Sequence, residues 1–376
     1  METLFIFETK EPIEQIFSIG IIALFISGIL CVRISVPFWK WKPNVPGKLT
    51  PAEIALIIVG RNDSFGFEHW VKEASGIDKN IEIIILDDQS EIETLSVLEA
   101  LSEKNNQIHL VKTPINQKFW NSRKLAITLA LKSTNRPKIV IVDTDCFIPK
   151  DPLGWLTQLT EPLNNGAIAS FAPVNADLNQ NLTRRLHSAG VNMWAVIRAI
   201  RIFNFSSTQK TTGMHSVNFA FYRSHFFDVK GFLSSMHIDK GEGEFLFNDI
   251  SRFGEIVPVL DPLASLEKKH KLYSKKERKA HRHNSERMFI FIPMFLLFFM
   301  DIMGLLLFYN VFFEEASILE LIKFKILLFG WVLVQLILMV FSVFWTKRYF
   351  YVTDGFIAPF YLRWVFFHKI MMFWKR

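Results

Sequence analysis

Three short apolar runs in the middle of the chain constrain its fold more than any other feature. Each is rich in branched aliphatic residues and only five to seven residues long: 53–59 (EIALIIV), 81–86 (IEIIIL) and 138–142 (KIVIV). Runs of this length are typical of strands that are buried on both faces, as in parallel sheets. Helix-like patterns such as 123–132 lie between them. This alternation predicts βαβ units and an α/β domain with a mostly parallel sheet.

Acidic residues follow all three runs, at the points where the predicted strands end. The first run leads into Asp63, the second into Asp87 and Asp88, and the third into Asp143 and Asp145. Ligands of open parallel sheets bind beyond the carboxyl ends of the strands. Hard divalent cations often take one or two carboxylates there, together with substrate phosphates. Because Asp is also common in turns, each residue taken alone is equally consistent with a structural role.

These segments, taken in order, resemble the inverting glycosyltransferases of family two, which have the nucleotide-binding GT-A fold. The resemblance covers roughly residues 52–285. IALIIVGRND is similar to the family's opening strand and turn, and IEIIILDDQS to its second strand, whose acidic end contacts the nucleoside. RKLAI resembles the Lys-x-x-Ala-Leu start of a helix, and IVIVDTDCF resembles the DxD segment. The resemblance therefore implies a site for a nucleotide-diphosphate sugar.

The same resemblance implies a role for each acidic strand end. Asp145, together with Asp143, would hold Mg²⁺ or Mn²⁺ against the donor diphosphate. That cation would stabilise the charge of the departing nucleoside diphosphate. The donor-binding candidates are Asp63, Asp87, Asp88, Arg123 and Asp143.

Two further segments resemble the acceptor side and the catalytic region of the family. Residues 215–232 are similar to an acceptor-side segment with an Asn-x-Ala-x-x-Arg pattern, which makes Arg223 a candidate for binding diphosphate or acceptor. Residues 237–250 resemble the segment that supplies the catalytic base, but Gly243 stands where a central Asp is expected. Inversion requires a carboxylate to accept the acceptor's proton. Glu242 and Glu244 are the candidates, with Glu242 preferred because it precedes a helix-like run.

The basic segment that follows the α/β region has two interpretations. KAHRH at 279–283 loosely matches the family's Gln-x-x-Arg-Trp element, which makes Arg282 and His283 further candidates for binding diphosphate or acceptor. The alternative is a basic surface on anionic lipid headgroups. The net charge of +7 is assigned to membrane lipids and an anionic donor, and not to nucleic acid, because no RNA-binding or zinc-binding pattern accompanies it.

Long apolar runs flank the α/β region and predict transmembrane helices. Residues 16–36, 288–308 and 326–344 each approach the length that spans a bilayer. The distribution of Lys and Arg then predicts a multi-pass protein of the cell membrane with a cytoplasmic catalytic domain. The predicted segments are an N-terminal tail (1–14), an anchor (15–36), a GT-A-like domain (50–266), a basic interfacial segment (267–287), two transmembrane helices (288–346) and an interfacial or re-entrant segment (347–376).

The sequence thus predicts a metal-dependent, inverting, membrane-bound glycosyltransferase. Its acceptor would be a lipid, a lipid-linked glycan or a surface polysaccharide. Two alternatives remain open at this point. The chain could be a catalytically weakened glycosyltransferase-like membrane partner, or it could be a phosphatase that uses its Asp-x-Asp motif. The phosphatase pattern has a Thr shortly after the second Asp, and here Cys146, Phe147 and Ile148 follow instead.

Overall fold

The computed structural model describes most of the middle of the chain. The described residues are 49–114, 122–176, 216–238, 241–259 and 261–268, together with 322, 325–326 and 328–333. The chain divides into two compact units, residues 42–284 and residues 1–41 with 285–376. Every strand given below belongs to the first unit. The described residues between 322 and 333, in the second unit, are helical.

Strands and helices alternate through the first unit. The strands are β1 (Ile54–Gly60), β2 (Glu82–Asp87), β3 (Ile108–Lys112), β4 (Lys138–Asp143), β5 (Cys146–Phe147), β6 (Ala169–Phe171), β7 (Val174–Ala176), β8 (Phe219–Tyr222), β9 (Ile256–Pro258) and β10 (Leu266–Lys268). The helices are α1 (Ser64–Ser75), α2 (Ile92–Lys104), α3 (Ser122–Ser133), α4 (Pro152–Asn164), α5 (Arg223–Asp228) and α6 (Glu242–Ile250). Single 3₁₀ turns lie at Pro51–Glu53, Leu233–Ser235, Ser251–Phe253 and Pro262–Ala264.

Within the described residues, seven strands form the main sheet in the order β3-β2-β1-β4-β8-β6-β9. The first four are mutually parallel, β8 runs antiparallel to both β4 and β6, and β6 is parallel to β9. This arrangement confirms the predicted α/β domain with a mostly parallel sheet. The register sets Val59 beside Asp143 and Gly60 beside Asp87. The carboxyl ends of β1, β2 and β4 therefore meet at one edge.

A small second sheet returns a later part of the chain to that edge. β10 pairs antiparallel with β5 and parallel with β7. Lys268 lies opposite Cys146, directly after the Asp-x-Asp segment. A residue far along the chain is thereby placed beside Asp143 and Asp145.

Two tryptophans and one asparagine fix the core beneath this edge. The rings of Trp70 and Trp155 pack edge to face at 5.8 Å, an arrangement that aromatic pairs favour. Trp70 donates its indole hydrogen bond to the carbonyl of Cys146 at 3.1 Å. The Trp155 indole donates a hydrogen bond to the side-chain oxygen of the fully buried Asn218 at 3.0 Å. The side-chain amide of Asn218 in turn donates to the backbone carbonyls of Pro173 and Ala264. These bonds satisfy buried polar groups and join elements that are distant in sequence.

The predicted membrane topology requires correction. In the part of the chain that the structure describes, no helix has the length and apolar character needed to cross a membrane. The longest helices with both ends in the described residues are α2 and α4, which have 13 residues each. A helix needs about 20 residues to span the hydrocarbon core of a bilayer. This finding corrects the fold class that added N- and C-terminal transmembrane helices, and it corrects the multi-pass cell-membrane localisation. The runs 16–36 and 288–308, and most of 326–344, lie outside the described residues.

Candidate active site

The Asp-x-Asp turn lies directly against the end of β1. The backbone N–H of Thr144 donates to the carbonyl of Val59 at 2.9 Å. A Cβ added at Gly60 would lie 2.6 Å from Thr144 Cγ2 and 2.8 Å from Phe67 Cε2, closer than real Cβ atoms approach. Glycine at position 60 therefore permits the tight contact that places Asp143 and Asp145 at the strand edge.

The loops after β1 and β2 are bonded to each other. Asn62, which has a positive φ of 53°, donates its backbone N–H to the Ser90 hydroxyl at 2.8 Å. In return, Asn62 accepts a hydrogen bond from the backbone N–H of Glu91 at 2.8 Å. Asn tolerates this left-handed conformation better than most residues. The two strand-end loops thus form one connected rim beside the Asp-x-Asp turn.

Two of the predicted donor-binding residues make local structural bonds. Asp63 is the N-cap of α1 and accepts a hydrogen bond from the backbone N–H of Gly66 at 3.0 Å. Asp87 is buried and accepts from the backbone N–H of Ser90 at 3.1 and 3.2 Å. These are the capping and turn roles that Asp often performs. Both residues shape the rim, and their donor-binding roles remain predictions.

The structure brings three acidic and two basic side chains together at this edge, and we call this group the carboxylate cluster: Asp143, Asp145, Glu242, Arg123 and Lys268. Arg123 donates a hydrogen bond from Nη2 to Oδ1 of Asp143, and its Nε lies 3.8 Å from Oε2 of Glu242. Lys268 Nζ lies 3.2 Å from Oδ2 of Asp143 and 3.3 Å from Oδ2 of Asp145. Arg123 therefore connects the Asp-x-Asp motif to the predicted base.

The two aspartates of the cluster have opposite electrostatic character. Burial disfavours the charge of Asp143, but the adjacent Arg123 and Lys268 outweigh that effect and lower its pKa. Burial raises the pKa of Asp145, and the negative charge of Asp143 raises it further against the opposing charge of Lys268. Although burial favours neutral Lys268, both carboxylates raise its pKa and keep it cationic. The surroundings of Asp143 thus favour its charged form, whereas those of Asp145 disfavour its charged form.

Glu242 is a buried carboxylate at the start of a helix. It is the first residue of α6 and follows Gly241, whose φ of 83° places the N-cap in the left-handed region. Its side chain is fully buried, and neither carboxylate oxygen accepts a hydrogen bond from any described residue. The positive end of the helix dipole favours an anion there. Glu244 is equally buried and lies two residues further along α6.

The oxygen atoms at this edge suit a hard divalent cation. Among the described residues, Oδ1 of Asp145 and Oδ1 of Asp88 are buried atoms that accept no hydrogen bond. No group of three or more His, Cys, Asp or Glu side chains in those ranges is arranged to hold a metal ion. The two carboxylates of Asp143 and Asp145 nevertheless fit a cation such as Mg²⁺ or Mn²⁺, which commonly completes its ligand shell with substrate phosphates and water.

The remaining predicted residues lie elsewhere. Arg223 follows β8, and β8 is antiparallel to β4, so Arg223 lies near the amino end of β4 at the opposite edge of the sheet. Its Nε donates to the carbonyl of Leu131 at 2.7 Å, and its guanidinium lies 4.6 Å from the ring centre of Phe227. Arg282 and His283 fall outside the described residues.

Sequence reasoning missed two buried lysines. Lys268 falls in the predicted basic interfacial segment (267–287). Its contact with the Asp-x-Asp turn arises from the pairing of β10 with β5, which the sequence does not reveal. Lys124 is fully buried and donates to the carbonyls of Ser235 and Ile238 at 2.6 and 2.8 Å. Its position beside Arg123 carries no signal of its own, because Lys is ordinarily exposed on a helix.

Part of the chain matches one protein-family model, and the chain is similar to solved structures at low sequence identity. Residues 70–229 match the family model described as glycosyl transferase family 2. Among solved structures, the chain is similar to mannosyltransferase PcManGT from Pyrobaculum calidifontis in complex with GDP-Man and Mn²⁺, at 14% identity over 92% of this chain and 85% of that chain, with a TM-score of 0.46. It is also similar to glucosyl-3-phosphoglycerate synthase from Mycobacterium tuberculosis in complex with Mn²⁺, UDP and glucosyl-3-phosphoglycerate. The identity is 16%, the match covers 67% of this chain and 85% of that chain, and the TM-score is 0.41. No curated protein sequence matches the chain.

Proposed function

We propose that the chain, whose residues 70–229 match the family model described as glycosyl transferase family 2, transfers a sugar from a nucleotide-diphosphate sugar to a hydroxyl acceptor with inversion. One observation carries the proposal. Arg123 contacts Asp143 with one part of its guanidinium and faces Glu242 with another. The residues proposed for the donor diphosphate and for the base therefore share one cluster at the carboxyl edge of the sheet.

The donor side of this proposal rests on the two aspartates and the loops beside them. Asp143 and Asp145 would hold Mg²⁺ or Mn²⁺, and that cation would supply electrostatic stabilisation of the departing diphosphate. Asp88 is the better placed of the two β2 acids for contacting the nucleoside, because its Oδ1 accepts no hydrogen bond from the described residues. Asp87, in contrast, is bonded to its own turn. Arg123 holds Asp143 in position.

Glu242 is proposed as the general base for the transfer. The acceptor hydroxyl oxygen attacks the anomeric carbon from the face opposite the diphosphate. The bond from that carbon to the diphosphate oxygen breaks, and the electron pair leaves with the diphosphate. The hydroxyl proton passes to the Glu242 carboxylate, which accepts no hydrogen bond from the described residues that would compete. Glu244 remains the alternative base. The predicted lipid or glycan acceptor stays part of this proposal.

The cluster also bears on the phosphatase alternative. In that mechanism the first Asp of the motif attacks phosphorus as a nucleophile. Here Oδ1 of Asp143 accepts a hydrogen bond from Arg123, and Oδ2 lies 3.2 Å from the Lys268 ammonium. A carboxylate held by two cations is a poor nucleophile because its lone pairs are engaged. This arrangement favours sugar transfer over phosphoryl transfer.

The test is a screen of UDP- and GDP-sugars with Mn²⁺ or Mg²⁺, which measures release of nucleoside diphosphate with and without a lipid or glycan extract as acceptor. We expect metal-dependent release that Asp145→Asn abolishes. Glu242→Gln should lower kcat by about 10²–10⁴-fold, the usual contribution of a general base. The donor affinity of Glu242→Gln should stay within about threefold of the wild-type value, because a general base does not contribute to ground-state binding of the donor.

Two matched variants control the screen. Asp151→Asn is the same isosteric change at an acidic N-cap of α4, where Asp151 accepts from the backbone N–H of Gly154 at 2.9 Å, and it should retain full activity. Glu244→Gln should lower kcat much less than Glu242→Gln. If Glu244→Gln is the damaging change, the base is misassigned. Full metal-dependent activity in Asp145→Asn would remove the proposed role of Asp145 in metal binding.

A further inference from the structure

A lysine ammonium lies between the two carboxylates that the proposed function assigns to the metal. Lys268 Nζ is 3.2 Å from Oδ2 of Asp143 and 3.3 Å from Oδ2 of Asp145. Both distances are those of charge-assisted contacts. The lysine side chain is 9% exposed, so this contact is largely withdrawn from water. Lys268 therefore supplies one positive charge that both carboxylates of the Asp-x-Asp motif share.

The backbone of β10 delivers this lysine to the motif. Lys268 pairs with Cys146 of β5 and with Ala176 of β7 in the small sheet. Cys146 immediately follows Asp145, so the pairing places Lys268 beside the motif through a defined strand register. Strand pairing of this kind fixes the backbone from which the lysine side chain extends.

An ammonium group and a divalent cation compete for the same oxygen atoms. Oxygen ligands of Mg²⁺ or Ca²⁺ lie about 2.0–2.6 Å from the ion. A cation bound to Oδ2 of both aspartates would leave no room for Nζ at 3.2 and 3.3 Å from those atoms. The two positive charges would also repel each other strongly in a largely buried site. The long flexible stem of Lys allows its ammonium to move while the backbone stays in place.

From this geometry we propose that the Lys268 ammonium occupies the place of a metal ion beside the Asp-x-Asp motif. A divalent metal must displace this ammonium from Asp145 in order to bind. This inference rests on the proposed function. Asp145 is the carboxylate that exchanges partners, because Asp143 is also held by Arg123. Oδ1 of Asp145 accepts no hydrogen bond from the described residues and is available as a first metal ligand. Lys268 therefore lowers the metal affinity of the donor-free protein while stabilising its metal-free state.

The test measures Mn²⁺ binding directly, without donor or acceptor. The full chain is titrated with Mn²⁺, and free Mn²⁺ is followed by its electron paramagnetic resonance signal. Lys268→Met should tighten the dissociation constant at least ~10-fold, because it removes a competing unit charge within 4 Å of the ligands. Lys268→Arg keeps the charge and should stay within about threefold of the wild type. Should Lys268→Met fold poorly, Lys268→Gln carries the same expectation.

A second buried lysine provides the matched control. Lys138, at the amino end of β4, lies 2.6 Å from Glu53 and 3.0 Å from the Thr50 hydroxyl. Lys138→Met also removes one buried ammonium, and it should lower the melting temperature without changing Mn²⁺ affinity. Lys268→Met should also lower the melting temperature in EDTA, and saturating Mn²⁺ should restore it, because the metal then neutralises the two aspartates.

The outcomes separate this inference from the proposed function. One outcome is that the wild type binds Mn²⁺, that Asp145→Asn loses this binding, and that Lys268→Met binds Mn²⁺ no more tightly than the wild type. The proposed metal site then stands, and the role of Lys268 as a competitor is refuted. If Mn²⁺ binds neither the wild type nor Lys268→Met, the metal role of the motif fails, and the inference about Lys268 fails with it. Tightening in both Lys268→Met and Lys138→Met would trace the effect to net charge and overturn the specific role of Lys268.

Discussion

Two aspartates only two residues apart should respond in different ways to the same substitution. Asp143 contacts both buried cations of the carboxylate cluster, Arg123 and Lys268. Asp145 lies 3.3 Å from Lys268, and 29% of its side chain is exposed. Asn has nearly the same shape as Asp but no charge. Asp→Asn at each position therefore compares the two charges at almost constant volume.

The expected magnitudes follow from burial and pairing. Removing one partner of a buried ion pair costs about 3–5 kcal/mol, because the remaining charge is left buried without compensation. Asp143→Asn should therefore cost about that much, a large fraction of the roughly 5–15 kcal/mol that stabilises a typical domain. Burial and Asp143 both disfavour the charge of Asp145, and Lys268 keeps Asp143 as a partner when that charge is removed. Asp145→Asn should therefore change the free energy of unfolding by less than about 1 kcal/mol.

Urea denaturation without metal, followed by tryptophan fluorescence, measures both free energies of unfolding. A double-mutant cycle with Arg123→Met strengthens the comparison, because Arg123→Met and Asp143→Asn should be less than additive if the two charges stabilise each other. Arg123→Met with Asp145→Asn should deviate less from additivity, because the interaction of Asp145 with Arg123 is weaker than its interaction with Lys268. Equal costs for the two Asp→Asn variants, or an additive cycle between Arg123 and Asp143, would refute this account of the cluster.

Three further predictions follow from contacts at the same edge. Gly60→Ala should destabilise the chain by about 1–3 kcal/mol and reduce activity, since the added Cβ would lie 2.6 Å from Thr144; urea denaturation measures the cost. Lys124→Met should lower kcat more than it raises the donor KM, because it releases the segment 235–238 that precedes the predicted base; steady-state kinetics separates the two constants. Mn²⁺ affinity should fall on acidification at a higher pH than the ordinary carboxyl pKa of about 3.9, because burial raises the pKa of Asp145 and bound metal requires its anion. Mn²⁺ titrations from pH 5 to 8 measure this, and Asp151→Asn, which leaves the cluster intact, should show the same pH dependence as the wild type.

The parallel half of the main sheet could be predicted from the sequence, because its strands are buried on both faces. The runs 53–59, 81–86 and 138–142 overlap β1, β2 and β4, since branched aliphatic residues in short uninterrupted runs have few other stable arrangements. The positions of Asp143 and Asp145 followed from the same argument. The other strands of the main sheet, β8, β6 and β9, are only three or four residues long, too short for a periodic pattern to reveal their partners.

The electrostatics of the candidate site could not be predicted in the same way, because they depend on distant parts of the chain. Lys268 lies 125 residues from Asp143 in sequence, and nothing in the local pattern LEK indicates that its ammonium contacts the motif. The sequence pattern places Glu242 before a helix-like run, yet it is the first residue of that helix, fully buried and 3.8 Å from Arg123. Local sequence identified the residue types, whereas tertiary pairing determines which carboxylates are neutralised.

Arg123 gives the cluster a property that neither the motif nor the predicted base has alone. Its guanidinium is planar and permanently charged, so it can contact Asp143 and Glu242 at the same time without titrating. A change in the charge around Asp143, such as arrival of a metal ion and a diphosphate, would therefore alter the electrostatic environment of Glu242 through a shared partner. A Lys at position 123 would supply one compact charge to one carboxylate. Arg123→Lys should for that reason weaken the coupling between metal binding and the base, even though the net charge of the cluster is unchanged.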